Sequence, residues 1–267
     1  MVKWKQNKKY VFRKNALKLI AGGCMAALFL TACGGVTEEQ LAARVSAIEM
    51  MEQGRYEDAV DVFNSLVQEA RSVTDFELDV LKYRAEAEYQ LGDCDAALHT
   101  YKTLIEVDKK RPEYCYLASL MLSKTGSLQD ARTFLESGKE LDQDHKVPGY
   151  LEASMAYADG CAAAGETELS QAVYQQLIRE GFGTTKIYNR LVMNAIKAED
   201  YKLALDLAAK GLALPDTEAV QQLKFNEAVC YEYLGEFSKA LELFRAYANS
   251  YGSDERVAHE IAFLETR

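Results

Sequence analysis

Six times between Ala47 and Ala248 the chain repeats one short pattern: a small residue, Gly seven positions on, an aromatic or apolar residue two after that, and Ala three further. The units read Gly54-Arg55-Tyr56-Glu57-Asp58-Ala59, Gly92-Asp93-Cys94-Asp95-Ala96-Ala97, Gly126-Ser127-Leu128-Gln129-Asp130-Ala131, Gly165-Glu166-Thr167-Glu168-Leu169-Ser170, Glu199-Asp200-Tyr201-Lys202-Leu203-Ala204 and Gly235-Glu236-Phe237-Ser238-Lys239-Ala240. Successive units are 38, 34, 39, 34 and 36 residues apart. A period of this length belongs to helical solenoids, in which one helix pair cannot bury both its apolar faces and stacking of neighbours completes the core.

The pattern sets out two columns of small residues. Ala47, Ala85, Ser119, Ala158, Val192 and Ala228 fall on the first helix of each pair, and Ala59, Ala97, Ala131, Ser170, Ala204 and Ala240 on the second. Small side chains let paired helices approach closely. Four positions after the second column come Phe63, Tyr101, Leu135, Tyr174, Ala208 and Phe244, expected to fill the space that the small residues leave. Each first helix is expected to end near its Gly, and each second helix to carry an apolar stripe, as in Ala240, Leu241, Phe244, Ala248 and Tyr251. Pro112, Pro148 and Pro215 are expected just beyond the second helices of units two, three and five, where proline stops a helix without breaking one. Residues 253–267, with Val257, Ile261 and Leu264 on one side, read as the capping helix that a solenoid end requires.

These units resemble the tetratricopeptide repeat family. The resemblance implies an all-α fold, a right-handed superhelical solenoid of antiparallel helix pairs, over residues 37–252. Three departures stand out: no repeat has the family's early tryptophan, the fourth unit has Thr167 and Ser170 where an aromatic residue and Ala are usual, and the fifth lacks the Gly.

The N-terminus carries an address. Lys3, Lys5, Lys8, Lys9, Arg13, Lys14 and Lys18 occur without an acid, and an apolar run from Leu19 to Leu30 follows, which reads as a secretory signal over residues 1–32. Its end, Leu30-Thr31-Ala32-Cys33, resembles the bacterial lipobox, which implies a diacylglyceryl group on the Cys33 thiol and cleavage before it. Two acyl chains anchor stably where one is marginal. The protein is therefore expected in a bacterial cell envelope, attached but not membrane-spanning, on the outer face of the cytoplasmic membrane, or in an outer membrane where the cell has one. Residues 33–36 form a short tether, three residues of which reach about 10 Å when extended. Thr37-Glu38-Glu39-Gln40 then reads as a capping box that opens the first helix close to the headgroups.

Loss of residues 1–32 would leave 24 Lys and Arg against 41 Asp and Glu, a net charge of about −17. Such acidity repels nucleic acid and anionic lipid, so neither is an expected partner, and the lipid has to do the anchoring. Catalysis, metal and cofactors find little support. His99, His145 and His259 are scattered. Asp142-Gln143-Asp144-His145 reads as a solvated acidic turn, and His259-Glu260 lacks the second His of a zinc-protease helix, because Phe263 stands there. Neither a phosphate-cradling glycine loop nor a nucleophile with recognisable local context occurs. Cys94, Cys115, Cys161 and Cys230 sit where small apolar residues pack, and favour four buried thiols over disulfides.

In the family that the units resemble, the first helices line a concave face that holds peptides. Carried onto this sequence, the groove positions are Arg44, Ile48 and Met51; Lys82, Glu86 and Tyr89; Tyr116, Leu120 and Lys124; Met155 and Asp159; Asn189, Met193 and Lys197; and Phe225, Val229 and Tyr233. Met and Tyr suit a surface that adapts to a peptide. At the same helical spacing such residues also serve as ordinary packing between neighbouring first helices. The family's chaperone-tail clamp needs Lys and Asn in its first repeat, where this chain has Arg44 and Ile48, so that ligand is disfavoured. The expected function is a non-enzymatic, lipid-anchored scaffold that holds a peptide segment of another envelope protein. A solute-binding lipoprotein that captures peptide or glycan is the second reading, and a hydrolase with an unfamiliar site the third.

Overall fold

The computed structural model describes residues 35–68, 70 and 72–267; the signal segment and Cys33 lie outside them. Thr37 caps the first helix as the sequence predicts: its hydroxyl accepts from the Gln40 amide at 3.1 Å, and the Gln40 side chain accepts from the Thr37 amide at 2.9 Å. From there the described residues are all-α, with no strand among them. The helices are α1 (Glu38–Glu52), α2 (Tyr56–Gln68), α3 (Asp75–Leu91), α4 (Cys94–Val107), α5 (Pro112–Thr125), α6 (Leu128–Leu141), α7 (Tyr150–Ala163), α8 (Thr167–Arg179), α9 (Thr185–Lys197), α10 (Tyr201–Leu212), α11 (Val220–Tyr233), α12 (Phe237–Tyr251) and α13 (Glu255–Leu264).

The repeated Gly is explained by the turn within each pair. Gly54, Gly92, Gly126, Gly165 and Gly235 all have φ between 77° and 90°, the left-handed conformation that lets a helix end in a tight turn without a Cβ clash. Where the fifth unit lacks Gly, Glu199 adopts φ 59° instead. The turn is kept at a cost, because a Cβ in that region is disfavoured.

All twelve residues of the two small columns have 0% exposure. Where the column holds Ser rather than Ala, the hydroxyl is satisfied: Ser119 donates to the Ala131 carbonyl at 2.7 Å, and Ser170 accepts from the Asn194 side chain at 3.0 Å. The six residues four positions on are buried as well, Phe63 and Phe244 completely. Close approach is taken furthest at Gly138 on α6, where a Cβ would lie 2.5 Å from the Tyr116 ring. Gly211 on α10 is similar, with the Tyr188 Cβ 2.8 Å from where its own would be.

Two compact units divide the chain between Tyr157 and Ala158, inside α7. The first contains α1 to α6 and the start of α7; one of its clusters joins Ala47, Ala59, Phe63, Leu66 and Val80, with Phe76 and Tyr83 packed against it. The second runs through α13; Ala228, Ala240, Phe244 and Leu264 form a cluster there, flanked by Phe225, Phe237 and Ile261. Val257 and Leu264 of α13 are buried, and Asp254 caps the helix by accepting from the Val257 amide at 2.9 Å.

Two expectations need amending. Pro112 lies beyond α4, which ends at Val107, as expected, but it also begins a helix, as the first residue of α5, where an N–H would have no intrahelical partner in any case. Cys115, Cys161 and Cys230 are buried, but Cys94, the first residue of α4, is only half-buried because the start of that helix faces solvent.

Candidate functional site: the first-helix surface

Residues about one repeat period apart lie side by side on successive first helices. Arg44 of α1 and Asp79 of α3, 35 residues apart, form an ion pair at 2.5 Å, and the same guanidinium lies 5.2 Å from the Tyr83 ring centroid. Lys124 of α5 donates to the Tyr89 hydroxyl of α3 across the same interval, 4.6 Å above that ring. Its burial against the ring lowers the ammonium's pKa. In the second unit Lys197 of α9 reaches the Ala162 carbonyl at 3.0 Å, and Asn226 of α11 donates to Asn189 of α9 at 2.8 Å. Within each unit, polar contacts of this kind recur between successive first helices.

Within the first unit this surface opens into an apolar-walled recess. Ile48, Met51 and Glu52 of α1, Tyr56 at the start of α2, and Tyr83, Glu86 and Gln90 of α3 line it. Glu86 is 7% exposed and accepts from the Gln90 side chain at 2.6 Å. Burial raises its pKa, and that amide only partly offsets the effect.

The residues expected to face a ligand separate into two groups. Met51 lines the recess, Met193 is 47% exposed, Tyr233 is 65% exposed, and Lys82 and Met155 are half-buried. Tyr233 stacks in parallel on Tyr201, with centroids 4.9 Å apart. The others are engaged within the fold. Tyr116 is wholly buried, donates to Asp142 at 3.1 Å and packs against Gly138, so it belongs to the core rather than to a groove. Asn189 is buried by its bond to Asn226. Phe225 meets Phe244 and Tyr247 edge-on at 5.5 and 5.7 Å and is covered by the Arg256 guanidinium at 4.0 Å. Arg44 and Tyr89 are held by the contacts between first helices. A change at Tyr116 or Phe225 therefore perturbs packing before it tests recognition.

The acidic turn after α6 is solvated at Gln143 and Asp144 but not at Asp142. Asp142 is buried, and its carboxylate accepts from the Lys146 and Val147 amides and from Tyr116, which organises the loop around it. Among the described residues no group of three His, Cys, Asp or Glu side chains is placed to hold a metal ion. Nor is any helix among them long and apolar enough to cross a membrane. Residues that sequence reasoning missed include Tyr83 and Gln90 in the recess wall and Asp79 beside Arg44. The signal was present in the period, since Tyr83 follows Ile48, and Asp79 follows Arg44, by 35 positions.

Residues 84–146 match the tetratricopeptide repeat family. No curated protein matches the chain. Among solved structures, a tetratricopeptide repeat protein from Parabacteroides merdae is 17% identical, with TM-score 0.55, covering 85% of this chain and 84% of its own. PilW, described as a widely conserved type IV pilus biogenesis factor, is 13% identical, with TM-score 0.61, covering 86% of this chain and 99% of its own. YrrB, described as a tetratricopeptide repeat protein with an unusual peptide-binding site, is 18% identical, with TM-score 0.50, covering 62% of this chain and 82% of its own. The family match covers residues 84–146, and by fold the described residues form a helical repeat array similar to those of these structures.

Proposed function

We propose that this protein is a non-enzymatic scaffold, held in a bacterial cell envelope by lipid on Cys33, that binds a peptide segment of another envelope protein on its first-helix surface. The observation that carries the reading is the recess formed by two successive first helices, whose wall is apolar at Ile48, Met51 and Tyr83. A flexible thioether and a ring with a polar tip accommodate varied side chains. The peptide-binding description of the YrrB structure supports the same use of the fold. The anchoring half of the proposal rests on the Leu30-Thr31-Ala32-Cys33 sequence and the basic, then apolar, segment before it.

The test is a variant confined to accessible positions, Met51→Glu with Met193→Glu and Tyr233→Ala. Charge placed in an apolar contact is expected to reduce partner recovery from cells by at least about tenfold. Far-ultraviolet circular dichroism should be unchanged, since none of the three is buried. Recovery equal to wild type would remove the first-helix surface from consideration.

A further inference from the structure

The recess has a chemical bias. Residues 38–68, which form the first helix pair, carry seven Asp and Glu against two Arg. Both arginines are engaged: Arg44 pairs with Asp79, and Arg55 with Asp58 at 3.1 Å and with the Gln53 side chain. Glu49 and Glu52 are exposed with no cation against them among the described residues, and Glu86 is buried with an amide as its neighbour rather than an ammonium or guanidinium. Beside these acids runs an apolar strip. Leu41, Val45 and Ile48 share one stripe of α1 at helical spacing, and among the described residues Leu41 and Val45 are 48% and 49% exposed. The strip leads into the recess at Ile48 and Met51.

Apolar area rimmed by uncompensated acid complements a segment of opposite charge and like hydrophobicity. We propose that the recess between α1 and α3, with the Leu41–Val45 strip, takes a cationic amphipathic segment of the partner: an apolar side chain enters between Met51 and Tyr83 while flanking Lys or Arg side chains face Glu49, Glu52 and Glu86. This rests on the peptide-holding reading above and names the class of peptide. A cation beside Glu86 removes the penalty that burial imposes on its carboxylate, so recognition of charge and filling of the recess reinforce each other. A neutral segment gains the apolar contact alone, and an acidic one also meets repulsion at the rim.

The probe is a nine-residue peptide of Lys with photoreactive leucine at two positions one helical turn apart, offered to the full-length protein in nonionic detergent. Its counterpart carries Glu in place of Lys. Irradiation and peptide mapping are expected to place adducts of the Lys peptide on Ile48, Met51 or Tyr83, with none from the Glu peptide. Glu49→Lys with Glu52→Lys, both at the surface, should lower the yield there about tenfold through like-charge repulsion. Glu242→Lys with Glu255→Lys, equally exposed in the second unit, should leave it unchanged. Equal loss in both variants, or labelling by the Glu peptide, would overturn the assignment by reducing it to general attraction for an acidic protein. Adducts confined to other first helices would overturn the recess while leaving the wider reading standing, whereas no adduct on any first helix would count against both.

Discussion

Phe244→Ala is expected to cost about 3–5 kcal/mol, the range for removing a large aromatic side chain from a packed core. The ring is wholly buried, four positions after Ala240, which is buried in the same cluster. Phe225 packs edge-on against it, and Leu264 of α13 belongs to the same cluster, so the cavity would adjoin three helices. Because repeat arrays are stabilised mainly by nearest neighbours, the loss should be felt locally. Denaturant unfolding should show the lower stability, and amide exchange should accelerate across 220–264 while the Phe63 cluster of the first unit stays protected. A uniform increase in exchange over the whole chain would contradict the local character of the effect.

The second large effect concerns address rather than stability. Cys33→Ser removes the only thiol at the end of the apolar signal segment, so incorporation of labelled lipid should fall to background. On the proposed anchoring the protein should leave the detergent phase: each buried CH₂ of an acyl chain contributes about 0.8 kcal/mol, and the acidic residues 33–267 have no electrostatic attraction to anionic lipid to replace it. Metabolic labelling with an alkyne fatty acid, followed by phase partitioning, reads both outcomes. Persistent label on the Cys33→Ser protein would assign the lipid elsewhere or dispense with it.

The architecture was legible because its determinants are local and repeated. Gly at a left-handed turn, a small residue on each facing helix and a large one a turn later recur at a fixed interval, and each occurrence supports the others. The fifth unit shows how far that reading reaches, since Glu199 holds the turn without Gly while Val192 and Ala204 keep the packing. The candidate surface was legible only in outline. Helical spacing places Tyr116, Asn189 and Phe225 on the first helices, but it does not distinguish a side chain that faces a ligand from one that faces the next helix. That distinction depends on partners distant in the sequence: Asp142 for Tyr116, Asn226 for Asn189, and Arg256 with Phe244 for Phe225. Asp142 was misread for a related reason, because a carboxylate that accepts two backbone amides looks in sequence like one of a row of solvated acids.

The central claim is that another protein's peptide lies along the first helices, and site-specific photocrosslinking in intact cells tests it most directly. A benzophenone side chain would be placed in turn at Met51, Met193 and Tyr233 on first helices, and at Val107 and Leu141, which are 44% and 49% exposed at the ends of second helices. The account predicts that first-helix positions capture one and the same envelope protein, and that Val107 and Leu141 do not. Capture from Val107 and Leu141 with none from the first helices would contradict it.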